Sequence, residues 1–135
     1  MSFLSSPEQR RQRPRGTQSG LTDAFEASPQ FRIEPRRFGT TLAVRLVGEL
    51  DLASVVQLDP VLRQADGVNT LILDLEPLTF IDCSGLHAVF GLWEISRRNG
   101  FNLQIVGARG AVRRVIHLAR LEDVLPLVDE PSPAP

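Results

Sequence analysis

Lysine is absent from this 135-residue chain, whose fifteen basic residues are all arginine. So uniform a choice reflects a GC-rich coding bias more than a physical demand at fifteen sites, and no function is read from it. The absence also removes the lysine of a Gly-x-x-x-x-Gly-Lys phosphate loop. No Gly-x-Gly-x-x-Gly occurs either, so a nucleotide-binding loop is excluded. Cysteine is nearly missing as well: Cys83 alone can form no disulfide within the chain, which excludes a disulfide-built secreted domain and fits a reducing cytoplasm. No apolar stretch approaches the roughly 20 residues of a membrane span, and residues 1–15 hold no run suited to a signal peptide. The expectation is a cytoplasmic protein with no membrane contact. Excess charge of one sign is lacking too, since a net charge of -1 creates no global field to gather nucleic acid or membrane.

What is present suits one domain with a real core, because domains of about 100–150 residues are the commonest. Residues 1–29 are rich in Arg, Gln, Ser, Pro and Gly with almost no periodic apolar signal, and read as a disordered tail. Arg10, Arg11, Arg13 and Arg15 cluster there; a solvated tail accounts for them, and direct nucleic-acid binding is not expected. Residues 130–135 read as a second frayed end, leaving 30–129 as the folded domain.

Within that domain strand and helix patterns alternate. Residues 31–36 and 41–47 read as strands joined by a turn at Phe38-Gly39, with Leu42, Val44 and Leu46 on one face of the second. Asp51 is placed to cap a helix with Val55, Leu58, Val61 and Leu62 at helical spacing; Pro60 suggests a break, with Asp59 capping a second short piece. Residues 70–75 read as a buried strand, 84–99 as a helix stopped by Gly100, 101–106 as a strand and 111–119 as a last helix. Two strands followed by alternating helices and strands make an α/β sandwich with a mixed sheet.

The stretch richest in chemistry is Leu78-Thr79-Phe80-Ile81-Asp82-Cys83-Ser84-Gly85-Leu86, which enters the longest helix. The bland reading of Ser84 is a structural cap, its hydroxyl accepting from an unpaired amide of the first turn. An enzyme needs more than this: Ser84 has no Gly-x-Ser-x-Gly elbow, and His87 lacks an evident orienting acid. Cys83 and His87 stand four apart on the helix, as two metal ligands could, yet His117 is the only other imidazole. Neither a catalytic residue nor a cofactor nor a metal is expected. Along the helix, Leu86, Val89, Phe90 and Trp93 form a stripe expected to face the sheet, while Ser84, Ala88, Gly91 and Ile95 form a second, smaller line.

Gly48-Glu49-Leu50-Asp51, followed about thirty residues later by 75–86, resembles the STAS domains of bacterial anti-sigma-factor antagonists over roughly residues 31–128. The resemblance implies a STAS-type sandwich, with a mixed sheet of four to five strands and helices packed on it. It also implies partner switching: the unphosphorylated antagonist binds an anti-sigma factor that is itself a serine kinase, which frees a sigma factor for RNA polymerase. The kinase then phosphorylates the serine before the motif glycine, here Ser84, and a metal-dependent serine phosphatase resets the cycle. ATP belongs to the partner. Asp51 and Asp82 match the family's acidic positions near that surface, and Cys83, Gly85, His87, Ala88, Gly91 and Ile95 complete the expected contact set. Cys83 stands where serine is frequent and His87 where glycine is, and the final helix lacks the glycine expected at its end. The same fold also serves as a scaffold subunit of stress-sensing complexes or as an accessory subunit of lipid transporters, and homodimer formation is left open.

Overall fold

Alternation of large apolar and polar residues along 41–50 builds the strand around which the rest assembles. The computed structural model describes residues 31–62 and 67–131. The expected tail at 1–29 lies outside them, and of 130–135 only Glu130 and Pro131 are described, both exposed. Strands β1 (Arg32–Phe38) and β2 (Thr41–Leu50) form the expected antiparallel hairpin. Gly39, at φ 60, takes the first position of its two-residue loop, where a type II′ turn favours glycine. Leu42, Val44, Leu46 and Leu50 are at most 2% exposed, and burying each stabilises the fold by about 1.5–3 kcal/mol.

β2 is shared between two parallel partners. Its first half, from Thr41 to Arg45, pairs with β3 (Thr70–Asp74). Its last residues, from Gly48 to Leu50, pair with β4 (Leu78–Ile81). Gly48 makes the change of partner: the ladder slips between Gly48 and Glu49, and its φ of 102 is a conformation that side chains resist. The sheet continues in parallel through β5 (Asn102–Val106) to β6 (Leu127–Val128), giving six strands among the described residues. The sheet is therefore larger than the four to five strands expected. β4 and β6 leave no sequence signal because four residues and two residues are too short to show a period of two.

The helix expected after Asp51 is broken, as Pro60 suggested, but the break falls earlier. A 3₁₀ turn, Val55–Gln57, leads into α1 (Leu58–Leu62), so Asp59 lies inside the second piece and does not cap it. Pro60 stands in the first turn, where its missing N–H has no intrahelical partner to lose. Helix α2 (Cys83–Asn99) ends on Gly100 at φ 78, the left-handed stop read from the sequence. Its buried residues are Gly85, Leu86, Val89, Leu92 and Ser96. The helix is thus turned from the expected Leu86, Val89, Phe90, Trp93 stripe. Phe90 and Trp93 are half-buried at its flank, their rings 5.4 Å apart, with the Arg97 guanidinium 5.0 Å from the Trp93 centroid. The small residues at 85 and 96 explain the turn. Ser96 donates its hydroxyl to the Trp93 carbonyl at 2.7 Å, and a β-carbon on Gly85 would meet the Leu50 carbonyl oxygen at 2.5 Å. The helix start lies against β2 more closely than any side chain permits.

Helix α3 (Gly110–Leu118) packs over β4 with Val112 and Ile116 buried. Its end needs no glycine sequence to form a Schellman turn: the Leu121 amide donates to Ile116 at 3.0 Å and the Arg120 amide to His117 at 2.9 Å. Arg120 itself takes the left-handed conformation, at φ 61. Beyond it, Glu122 accepts from His117 Nδ1 at 2.8 Å and Arg113 Nε at 2.9 Å, and these bonds hold its carboxyl below the ordinary carboxylate range.

Two stability changes follow. Arg120→Gly should raise the urea midpoint by the equivalent of about 1 kcal/mol by relieving the left-handed strain, and Arg120→Ala should not. Equal midpoints for the two variants would show that the turn stores no strain. Gly85→Ala should cost about 2 kcal/mol or more, because the atom it meets is backbone and cannot swing aside. A loss below about 0.5 kcal/mol would show that α2 lifts from β2 freely.

Candidate functional site

The motif residues converge where β2, β4 and the start of α2 meet. Asp82 is the N-cap of α2, in extended backbone at φ -106 and ψ -172. Its Oδ1 accepts the Gly85 amide at 2.9 Å, and its carbonyl accepts the Leu86 amide at 2.9 Å. Its Oδ2 also accepts the Leu52 amide at 3.3 Å, while its own amide donates to the Leu50 carbonyl at 3.2 Å. One aspartate therefore ties the first turn of the helix to the end of β2. A cap of this kind is worth about 1 kcal/mol.

This corrects the structural role considered for Ser84. The helix begins one residue earlier than expected, at Cys83, and the cap belongs to Asp82, so the Ser84 hydroxyl is not needed for it. Ser84 is half-buried in the first turn, where the leading amides have no partner within the helix.

Asp51 closes the turn after β2. Its Oδ1 accepts the Ser54 amide at 3.0 Å, its amide donates to Ser54 Oγ at 2.9 Å, and the Ser54 hydroxyl donates to the Glu49 carbonyl at 2.8 Å. Ser54 is 6% exposed. Asp51 is thus a cap, as read, but of a tight turn preceding the 3₁₀ segment. Thr79 adds a bond between the strands, its hydroxyl donating to the Gly48 carbonyl at 3.1 Å.

The expected contact set therefore divides. Gly85 is buried against Leu50 and Ile81, so it sets the height of the helix and offers a partner nothing. The carboxylates of Asp51 and Asp82 are engaged with backbone amides. Cys83 and His87 are exposed, Ala88 and Gly91 are half-buried, and Ile95 is 39% exposed. A β-carbon on Gly91 would meet nothing within 4 Å, so this line along the helix borders open space. On the other flank Cys83, Leu86, His87, Phe90 and Leu121 line a shallow apolar hollow of about 260 Å³.

Two features escaped the sequence reading. The hollow depends on Leu121, distant in sequence, and no local pattern shows it. Leu52 is 63% exposed beside Asp82; an apolar residue in a turn otherwise built of caps was the signal available. Among the described residues no cluster of His, Cys, Asp and Glu could hold a metal ion, and no helix is long and apolar enough to cross a membrane.

The family model for the STAS domain matches residues 32–132. The anti-sigma-B factor antagonist of Staphylococcus aureus is 29% identical over 84 residues, 61% of this chain and 78% of that protein. The anti-sigma F factor antagonist of Paenibacillus polymyxa is 26% identical over 103 residues, 73% of this chain and 87% of that one. Among solved structures, the anti-sigma factor antagonist SpoIIAA in its unphosphorylated form superposes with a TM-score of 0.63 at 26% identity, covering 76% of this chain and 90% of its own. The Bacillus cell fate determinant SpoIIAA in its phosphorylated form gives 0.59 at 25% identity, covering 76% and 93%. These relatives are regulatory binding proteins and not enzymes. Sheet, cap and motif agree with the match along most of the chain: it belongs to the STAS domain family.

Proposed function

We propose that the chain is an anti-sigma factor antagonist, acting in the cytoplasm, that binds an anti-sigma factor serine kinase while Ser84 is unphosphorylated and so releases a sigma factor. Phosphorylation of Ser84 by that kinase ends the complex, and a serine phosphatase restores it. The observation that carries this reading is the position of Ser84: it lies in the first turn of α2, with the cap supplied by Asp82, so its hydroxyl is spare. The relatives' names and the phosphorylated form of SpoIIAA support the assignment.

The physics of a switch here is local. A phosphate adds about -1.5 to -2 charge at the positive end of the helix, beside the Cys83 and Ser84 amides that Asp82 does not engage, and is held there without unfolding anything. The same charge resists burial under a docked protein, because desolvating it costs more than a spare hydroxyl does. The fold stays and the partner leaves. The line of Ser84, Ala88, Gly91 and Ile95 then serves as the surface on which the kinase lies.

Intact-mass and peptide mass spectrometry after incubation with host lysate and ATP should find a single phosphate, on Ser84, that Ser84→Ala abolishes. No phosphate, with phosphatases inhibited and a known substrate labelled in parallel, would make the chain a constitutive binding module. Gly91→Leu should add about 0.5–1 kcal/mol of stability through helix propensity and still weaken kinase binding at least tenfold in calorimetry. Unchanged affinity would remove this helix face from the interface.

A further inference from the structure

Leu52 is a large apolar side chain that the fold exposes without using. It is 63% exposed, whereas its neighbours Leu50 and Leu58 are buried. Its turn is closed without its side chain, by Asp51 with Ser54 and by the bond from its own amide to Asp82. These bonds fix the backbone of the residue, so only its side chain is left to be ordered when a partner covers it.

Its place in the fold names the occupant. The Leu52 amide is 3.3 Å from the Asp82 carboxylate, and Asp82 precedes Ser84 by two residues, a span of at most about 7 Å. A stable protein interface covers about 800 Å² on each partner, a disc of radius about 16 Å. A kinase that brings a nucleotide to the Ser84 hydroxyl with such a footprint also covers Leu52. A few residues seated in well-packed pockets near the centre of an interface carry most of its affinity.

We infer that Leu52 is the apolar anchor of the antagonist surface and inserts into a matching apolar pocket of the anti-sigma factor kinase. The inference rests on the proposed function and adds a residue that selects the partner. Selection falls to Leu52 because the motif carboxylates nearest Ser84 are consumed by backbone amides and give the partner little to read.

The test uses the full chain and the purified anti-sigma factor kinase of the same genome that phosphorylates it, with Leu52→Ala, Leu52→Met and, as a distant control, Phe38→Ala, whose parent phenylalanine is 58% exposed beside the hairpin turn, at the end of β2 away from Leu50. Calorimetry should show at least tenfold weaker binding for Leu52→Ala, near-parental affinity for Leu52→Met, and a change below twofold for Phe38→Ala. Circular dichroism should show the same melting for all. Parental affinity of Leu52→Ala for a kinase that still phosphorylates Ser84 overturns the inference and leaves the proposed function standing. If no anti-sigma factor kinase of that genome binds or phosphorylates the parent chain, both fall.

Discussion

The site depends on a contact that no side chain could make. Gly85 brings α2 so close to β2 that a β-carbon would lie 2.5 Å from the Leu50 carbonyl oxygen and 2.9 Å from Ile81 Cγ1. Leu50 and Ile81 are themselves paired across β2 and β4, at 0% and 1% exposure, so the helix start is set directly on the buried core. That height is what lets Asp82 reach both Gly85 and Leu52 with one carboxylate. Raising the helix by a methyl group would strain both bonds and move Ser84 with them.

Much of this was legible in the sequence. The hairpin, the buried strands at 70–74 and 102–106, and the stop of α2 at Gly100 followed from alternation and punctuation. The misplaced parts share one cause. β4 is four residues long and takes its place only because β2 changes partner at Gly48, a long-range fact. The largest residues of α2 point to a face that includes Phe90 and Trp93. Its orientation is decided instead by its smallest, since Gly85 and Ser96 permit the approach that Leu92 and Val89 then fill. Arg120 shows the converse. Hydrogen bonds to Ile116 and His117 close the turn there and hold an arginine in a conformation that sequence reading reserves for glycine.

The caps also change what the recognised motifs mean. In the sequence Asp51 and Asp82 are acidic residues near the expected phosphoacceptor, and their charge suggests contact with a partner. In the structure each spends its carboxylate on backbone amides, Asp51 on Ser54 and Asp82 on Gly85 and Leu52. Removing either would loosen the platform before it altered the surface. The two motifs thus read most simply as halves of one clasp, joined through the Leu52 amide across 30 residues of chain.

A clasp of this kind suits a switch that acts by charge alone. Under the proposed function the phosphate must arrive at Ser84 without disturbing the helix, or every cycle would entail partial unfolding. Had Ser84 been the cap, esterifying its hydroxyl would have disturbed the bond that starts the helix, at a cost of about 1 kcal/mol in each phosphorylated molecule. With the cap moved two residues back to Asp82, the hydroxyl can be modified and released while the first turn keeps its bonds. Under that function, separating the residue that starts the helix from the residue that would carry the signal is what allows the surface to change and the fold to stay.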